Sequence, residues 1–437
     1  MKTNSYRFTL VALALSLMMF VGTSLGAVPT IRYLTQYAPS DPVAKKVYDY
    51  IAKWGEANKD KMNLVQETIV GDDLMTKVHS QIASDSLADM FNFWGTPGYT
   101  TAIVNAGLLL SMDEYWKESK VNKESDFDRG FVERCTVNGV KTTMPSEGWV
   151  SFWIANKTLF DKYNLKIPTT LDELVAVGKV FNQHDIVPFD YGSKGGNPSH
   201  LVAAELFNQL KGGTEEFRNL TKNGTIDTPN MKRTLQTLDF MRENNLIPKD
   251  TMSTGDWGPY MTLYNERKAA ILQGFTWMLQ SMLPEIANES VLIDPIKMPG
   301  CAIDVSKFVQ SCGDYGTLIN KRSWNDPSKH AALLALADFV GSAQFSEYKF
   351  FATGQVPARK VPGIDYSKSM IPLEGRVLAR QMPKMNMLVG LNFSSMPGTK
   401  AFSDFHYALD EFSTGSMTAK ELIDKIDATM VEEKSQQ

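Results

Sequence analysis

Residues 142–181, TTMPSEGWVSFWIANKTLFDKYNLKIPTTLDELVAVGKVF, constrain the fold more than any other stretch of the chain. From Trp149 to Ile154 the segment is extended and rich in aromatic residues. Side chains alternate across a strand, so Trp149, Ser151 and Trp153 face one way and Val150, Phe152 and Ile154 the other. The chain then turns through Asn156-Lys157 into a short helix around Leu159–Tyr163, which Pro168 stops. Thr169 or Thr170 is positioned to cap the next helix, and Asp172-Glu173 set acidic charge in its first turn, against the positive end of the helix dipole. The order is strand, helical turn, cap, amphipathic helix.

The same alternation runs along the chain. Thr30–Tyr37 reads as a strand ending in a turn at Pro39-Ser40-Asp41-Pro42, followed by a helix over Val43–Ala57 with Val47, Tyr50, Ile51 and Trp54 on one stripe. Leu64–Val70 reads as a strand. Asp72–Ser84 reads as a helix burying Leu74, Val78 and Ile82 and leaving His79 exposed. Leu87–Trp94 is an apolar run of strand length, with Asn92 and Trp94 toward its carboxyl end, where open α/β sheets hold ligands. Asp113–Asp128 is charged and poor in apolar residues and reads as a surface excursion, whereas Asn138-Gly139 predicts a hairpin turn. Val187–Gly192 ends a strand at a polar, glycine-containing loop, Ser193–Asn197. Ala269–Trp277, Ile293–Met298 and Tyr315–Ile319 read as further strands. Strands alternating with helices predict an α/β fold with largely parallel sheets. No internal repeat, low-complexity tract or long linker interrupts the pattern.

At 437 residues the chain is long for one core and suits two lobes. Its 43% hydrophobic and 22% charged residues are ordinary for a soluble globular protein. The first 26 residues read as a secretory signal peptide: Lys2 and Arg7, an apolar core from Leu10 to Val21, then Ser24, Gly26 and Ala27. Removing Lys2 and Arg7 takes the 45 basic residues to 43 against 49 acidic ones, a formal charge of −6. That balance, with no Lys/Arg cluster, argues against nucleic acid and against a charged membrane surface. No cysteine lies near the cleavage site to carry a lipid anchor, which fits a periplasmic address. The remaining cysteines are Cys135, Cys301 and Cys312. In an oxidising compartment the close pair Cys301/Cys312 is a candidate disulfide across a hairpin-like segment. Three scattered Cys and five His have no metal-ligand spacing, and nothing calls for a cofactor.

The central stretch resembles the family 1 extracellular solute-binding proteins of ABC importers, whose pattern there is roughly YNKxLFxKxGL followed by P-x-TWDEL. Ala155 stands where the family usually has Tyr, and Leu171 where it usually has Trp. Ala269–Trp277 resembles the family's K-A-A-M…G-x-W, Ser311–Tyr315 its Gly-rich turn before a strand, Asn320-Lys321 its I-N-K, and Thr353–Arg359 its G-x-x-P-x-R/S. The resemblance implies a two-lobed, type II-like periplasmic-binding-protein fold, each lobe a mainly parallel sheet flanked by helices, with a hinge between. Lobe one is expected over roughly 28–138 and 297–342, and lobe two over 139–296 and 343–437. It also implies a monomer that captures a small molecule, a mono- or oligosaccharide, and hands it to the ABC permease subunits.

Sugars present apolar ring faces edged by hydroxyls, so a site for them needs aromatic plates and a few directional polar groups. Trp94, Trp149 and Trp277 fall where the family lines its cleft; Trp153 and Trp257 also lie near strand ends or loops. The polar candidates beside them are Gln36, Asn92, Glu147, Asn197, Asp314 and Arg359, with His200 and Lys194 near the glycine-containing loop. Arg359 reads equally as a member of a structural ion pair. A non-sugar cargo (glycerophosphate, polyamine, organic acid) is the alternative, and a phosphate would need cations in the cleft. A secreted glycoside hydrolase is a further alternative, since its two carboxylates leave no signature in sequence. No nucleophile elbow or phosphate-binding loop is present.

Overall fold

The computed structural model describes residues 28–70, 73–196, 198–253, 259–386, 388–390, 393, 396 and 399–435. The expected signal peptide, Asn197 and Trp257 lie outside the described residues, as do the side chains of Cys312 and Asp314.

Strands β1 (Thr30–Thr35), β2 (Asn63–Thr68) and β3 (Met90–Trp94) run parallel in the order β2-β1-β3. Parallel neighbours need crossovers, and the helices Ala44–Ala57 and Asp73–Ala83 supply them, burying Val47 and Ile51, and Leu74 and Val78. A small ribbon of β4 (Thr136–Val137) and β5 (Val140–Lys141) turns at Asn138-Gly139, whose φ angles of 50° and 80° are the left-handed pair a tight hairpin demands.

Beyond the ribbon come β6 (Met144–Asn156), β7 (Val187–Phe189), β8 (Ala269–Phe275), β9 (Ser290–Ile293), β10 (Phe308–Ile319), β11 (Val356–Pro357) and β12 (Leu388–Gly390). β7 and β8 are parallel, and β6 lies antiparallel between β8 and β9. The 13-residue β6 and 12-residue β10 are the long strands. β10 pairs with β3 through Tyr315–Ile319 and with β6 through Ser311–Thr317, so these two strands join the sheets of the two lobes.

The period-2 reading of β6 holds through its second half. Val150, Phe152 and Ile154 pack into one apolar cluster with Leu272 and Phe275, while Trp153 and Ala155 join another with Phe181 and Phe189. Around β1 and β3, Ile31 and Tyr33 meet Leu333 and Leu336 of the helix His330–Val340 on one face, and Leu34, Phe91 and Phe93 pack on the other. After β6, Asn156 Oδ1 accepts from the Leu159 amide at 3.1 Å and opens the helix Lys157–Lys162. Thr170 Oγ1 accepts from the Glu173 amide at 3.3 Å, and the Glu173 carboxylate accepts in return from the Thr169 amide at 2.7 Å. These two bonds satisfy backbone donors that a helix start leaves free.

Two expectations change. The charged region 113–128 is not a mere excursion: the helix Met112–Glu118 buries Tyr115 and Trp116, and the Tyr115 hydroxyl donates to Asp338 at 2.9 Å. The Cys301–Cys312 bridge is not made. Cys301 is a free thiol that donates to the Ile303 carbonyl at 3.5 Å, and its backbone bridges to Leu210. The segment between the cysteines is no hairpin, because β10 already begins at Phe308 and sets Cys312 opposite Trp149. Among the described residues, no helix is long and apolar enough to cross a membrane.

Candidate functional site

Where β6 and β10 cross between the lobes, the carboxyl ends of β1 and β3 and the helix Thr399–Ser413 enclose a cavity of about 890 Å³. One wall is aromatic. Trp94 ends β3 and stacks on Tyr99 with ring centroids 5.0 Å apart at 24°, and Tyr315 of β10 meets Trp94 edge-on at 5.4 Å. Tyr99 belongs to the helix Pro97–Asn105, which Pro97 opens with its ring pre-set for a first helical turn. The opposite wall holds Trp149 and Trp277, both against Phe275: Trp149 edge-on at 5.1 Å, Trp277 stacked at 5.9 Å and 6°.

A third wall comes from Phe402, Ser403, His406 and Tyr407 on one face of the helix Thr399–Ser413, with Tyr407 60% exposed. Phe402 reaches across to Tyr99, ring centroids 5.0 Å apart, over Gly98. A Cβ at residue 98 would lie 2.9 Å from the Phe402 ring, so glycine permits this approach. The helix is held in place by Asp410, whose carboxylate accepts from the Gly195 and Gly196 amides at 2.8 Å each. Gly196 sits at φ 71°, and a Cβ there would meet His406 at 2.5 Å. His200 hydrogen-bonds the Gly196 carbonyl through Nδ1 at 2.9 Å and lies 4.5 Å from the His406 ring. Burial lowers the His200 pKa to about 4 and takes His406 well below the usual imidazole range, so both are neutral at physiological pH.

The floor is built where β10, β6 and β11 run side by side. Glu147 lies between Tyr315 of β10 and Pro357 of β11 in register. Its Oε1 accepts from the Tyr37 hydroxyl at 2.7 Å and from Lys349 Nζ at 3.1 Å. Lys349 is fully buried behind it and also donates to the Ser146 carbonyl at 2.9 Å. Burial pulls the Lys349 pKa down, and the Glu147 carboxylate opposes that shift. Burial raises the Tyr37 and Tyr315 hydroxyls, with Glu147 adding to both shifts. Gln36 and Gln355 complete the floor, and no protein group bonds the buried amide oxygen of Gln355. The described lining includes the acids Asp41 and Glu147 but neither Lys nor Arg.

Of the candidates from sequence, Trp94, Trp149, Trp277, Gln36, Glu147 and His200 line this cavity. Asn92 does not. It lies two residues short of the strand end, 1% exposed, and its oxygen accepts from Tyr33 at 2.7 Å and Thr317 at 3.2 Å inside the sheet. Arg359 is also elsewhere. The chain after β11 runs beside residues 122–127, where Arg359 pairs with Asp126 at 3.2 Å, donates to Asn122 at 2.6 Å and covers the Phe127 ring. Trp153 is buried, its indole N–H donating to Glu205. Lys194 is exposed and outside the lining. Asn197 and the Asp314 side chain lie outside the described residues. His79, read as an exposed helix residue, is exposed and borders the cavity.

Sequence reasoning missed Tyr99, Tyr315, Gln355, Phe402, His406 and Tyr407. The last three form an i, i+4, i+5 set on one helix, a spacing that reads as a core stripe until the helix is known to face a cleft.

The family model described as bacterial extracellular solute-binding protein matches residues 39–345. The cavity residues from Thr353 to Tyr407 lie beyond that match. No curated protein matches the chain in sequence. Among solved structures, one from work on xylan utilisation by the thermophilic bacterium Caldanaerobius polysaccharolyticus is similar at 21% identity and a TM-score of 0.75, covering 92% of this chain and 99% of that one. A chitin oligosaccharide binding protein is similar at 18% and 0.73, covering 92% and 98%. Maltose-bound MalE3 of T. maritima is similar at 18% and 0.65, also covering 92% and 98%. At such identities the likeness is one of fold.

Proposed function

Because the chain belongs to the bacterial extracellular solute-binding proteins, we propose that it is the carbohydrate receptor of an ABC importer. Exported by its signal peptide to the periplasm, it captures a mono- or oligosaccharide between the lobes and delivers it to the membrane permease. One observation carries the reading: aromatic plates from both sides of the cleft, Trp94 and Tyr99 facing Trp149 and Trp277, surround a floor of amide and carboxylate acceptors. Flat rings take the apolar faces of pyranose units, and the acceptors take hydroxyls at their edges. The xylan, chitin-oligosaccharide and maltose contexts of the similar structures support the same ligand class.

In this reading lobe one spans roughly 28–138 and 297–342, lobe two 139–296 and 343–437, and β6 and β10 bend as the hinge. Ligand favours closure by binding the closed state more tightly than the open one, and the closed monomer docks on the permease. No covalent step is involved. A phosphorylated cargo fits less well, because no Lys or Arg is among the described lining residues.

A thermal-shift screen of the chain without its first 26 residues tests this against mono- and oligosaccharides, polyols, phosphorylated polyols and polyamines. A ligand at 100 times its Kd stabilises by about 2.7 kcal/mol, a shift of a few degrees at this size. The expected hit is a sugar recovered chemically unchanged. A hit confined to phosphates or polyamines overturns the carbohydrate reading, and turnover of the hit supports a hydrolase instead.

A further inference from the structure

We propose that the cleft floor discriminates by charge, taking a neutral hydroxyl-bearing sugar and rejecting the same sugar carrying a carboxylate or phosphate, with Glu147 and Gln355 setting that specificity. The inference rests on the carbohydrate reading above and adds the chemical class of sugar.

The argument begins with how the floor is assembled. Glu147 is fixed on its strand between Tyr315 and Pro357, and Tyr37 and Lys349 both hold the same oxygen, Oε1. The carboxylate is therefore gripped through one oxygen, while Oε2 has no such bond and the residue lines the cavity. Lys349 offsets this charge only in part for a ligand, because the carboxylate lines the cavity and the ammonium does not. It is fully buried on the far side of the carboxylate and outside the lining, with Nζ bonded to Ser146 and Glu147. A ligand at the floor meets the carboxylate first.

The neighbouring groups are of the same kind. Val356 of β11 pairs with Gly148 and Pro357 with Glu147, so the antiparallel register carries Gln355 toward Trp149, and Gln355 and Glu147 both line the cavity. The Gln355 amide oxygen is buried without a protein partner, and a buried acceptor of this sort gains most from an incoming hydroxyl donor. Burial of Tyr37 and Tyr315 keeps their hydroxyls protonated, so neither becomes an anion, but neither supplies a cation. The two cationic candidates from sequence are not in the cavity: Arg359 is bound to Asp126 and Asn122, and Lys194 is outside the lining. A sugar hydroxyl can donate to this floor. A uronic carboxylate or a phosphate monoester adds like charge next to Glu147 in a partly desolvated cleft, with no Lys or Arg among the described lining residues to receive it.

The test titrates four neutral probes, galactose, maltotriose, cellotriose and chitotriose, beside galacturonic acid and the three oligosaccharides oxidised at C6 to terminal uronic acids. In the wild-type chain, the acid member of any binding pair is expected to bind about 100-fold more weakly than the neutral one. Glu147→Gln narrows that ratio to under about tenfold. Because Glu147→Gln leaves Lys349 without its partner and can disturb folding, Gln355→Lys serves as the second variant. It leaves the Glu147–Lys349 pair intact and is expected to raise affinity for the acid member about tenfold or more. Equal binding of neutral and acid members overturns the inference and leaves the carbohydrate reading standing. A wild-type preference that neither variant moves overturns the assignment to Glu147 and Gln355. Binding of none of the eight probes overturns the carbohydrate reading itself.

Discussion

Strand β6 carries two tryptophans four residues apart, and they meet different surroundings. Trp149 lies at the cleft, partly exposed, edge-on to Phe275 and lining the cavity. Trp153 is 1% exposed, packs on Phe189 at 5.1 Å and donates its indole N–H to Glu205. The glutamates beside them differ in the same way. Glu147 at the cleft end has a buried lysine as partner. Glu205 at the core end accepts from the neutral donors Trp153 and Gln273, and burial pushes its pKa up to about 7 against the opposing pull of those bonds and of the Lys384 charge. A polar group in the core is satisfied by its neighbours and serves the fold. At the cleft, an acceptor is held on one side and left open on the other, which is what binding requires.

The largest effect should come from the core end. Trp153→Ala removes a fully packed indole and the Glu205 donor together, and should cost about 3–5 kcal/mol of stability in denaturant unfolding. A cost under about 1 kcal/mol would break the distinction between the two ends. Next comes the pH dependence. The Glu205 pKa is raised in the folded chain, so its contribution is fully present below the unfolded value near 4.3 and is lost as pH rises through about 7. Between pH 4 and 8 this one group should cost the wild type about 3 kcal/mol, and Glu205→Gln should remove that part of the slope. Identical pH profiles for the two chains would show that Glu205 is not the carboxyl that titrates. The smallest effect on stability belongs to the cleft: Trp149→Ala should change it by less than about 1 kcal/mol, while weakening sugar binding by tenfold or more in calorimetry.

The sequence made this strand legible because its pattern is local. Alternation from Val150 to Ala155, the turn into a helix at Asn156-Lys157, the Thr170 cap and the Asn138-Gly139 turn each depend on residues a few positions apart and appear where expected, whereas Trp149 packs with the Val150 side of the strand. Trp94, Trp149 and Trp277 were legible as a set through the resemblance to the family, which lines its cleft at these positions, and all three line the cavity. Asn92 shows the limit of such reading: near a strand end, its amide is still consumed by Tyr33 and Thr317 from neighbouring strands. Arg359 and the Cys301/Cys312 pair show it again, since both depended on where distant segments cross. The wall of Phe402, His406 and Tyr407 was hidden for the same reason. Bonds such as those of Asp410 to Gly195 and Gly196, spanning more than two hundred residues, help turn that helix face toward the cleft.

The most direct test of the account is a calorimetric titration of xylotriose, chitotriose and maltotriose into the wild-type chain and into a Trp94→Ala/Trp277→Ala double variant of unchanged stability. The account predicts one-to-one binding of at least one of these sugars to the wild type, and its loss in the double variant. Sugar binding that survives the removal of both rings would contradict a carbohydrate site in this cleft.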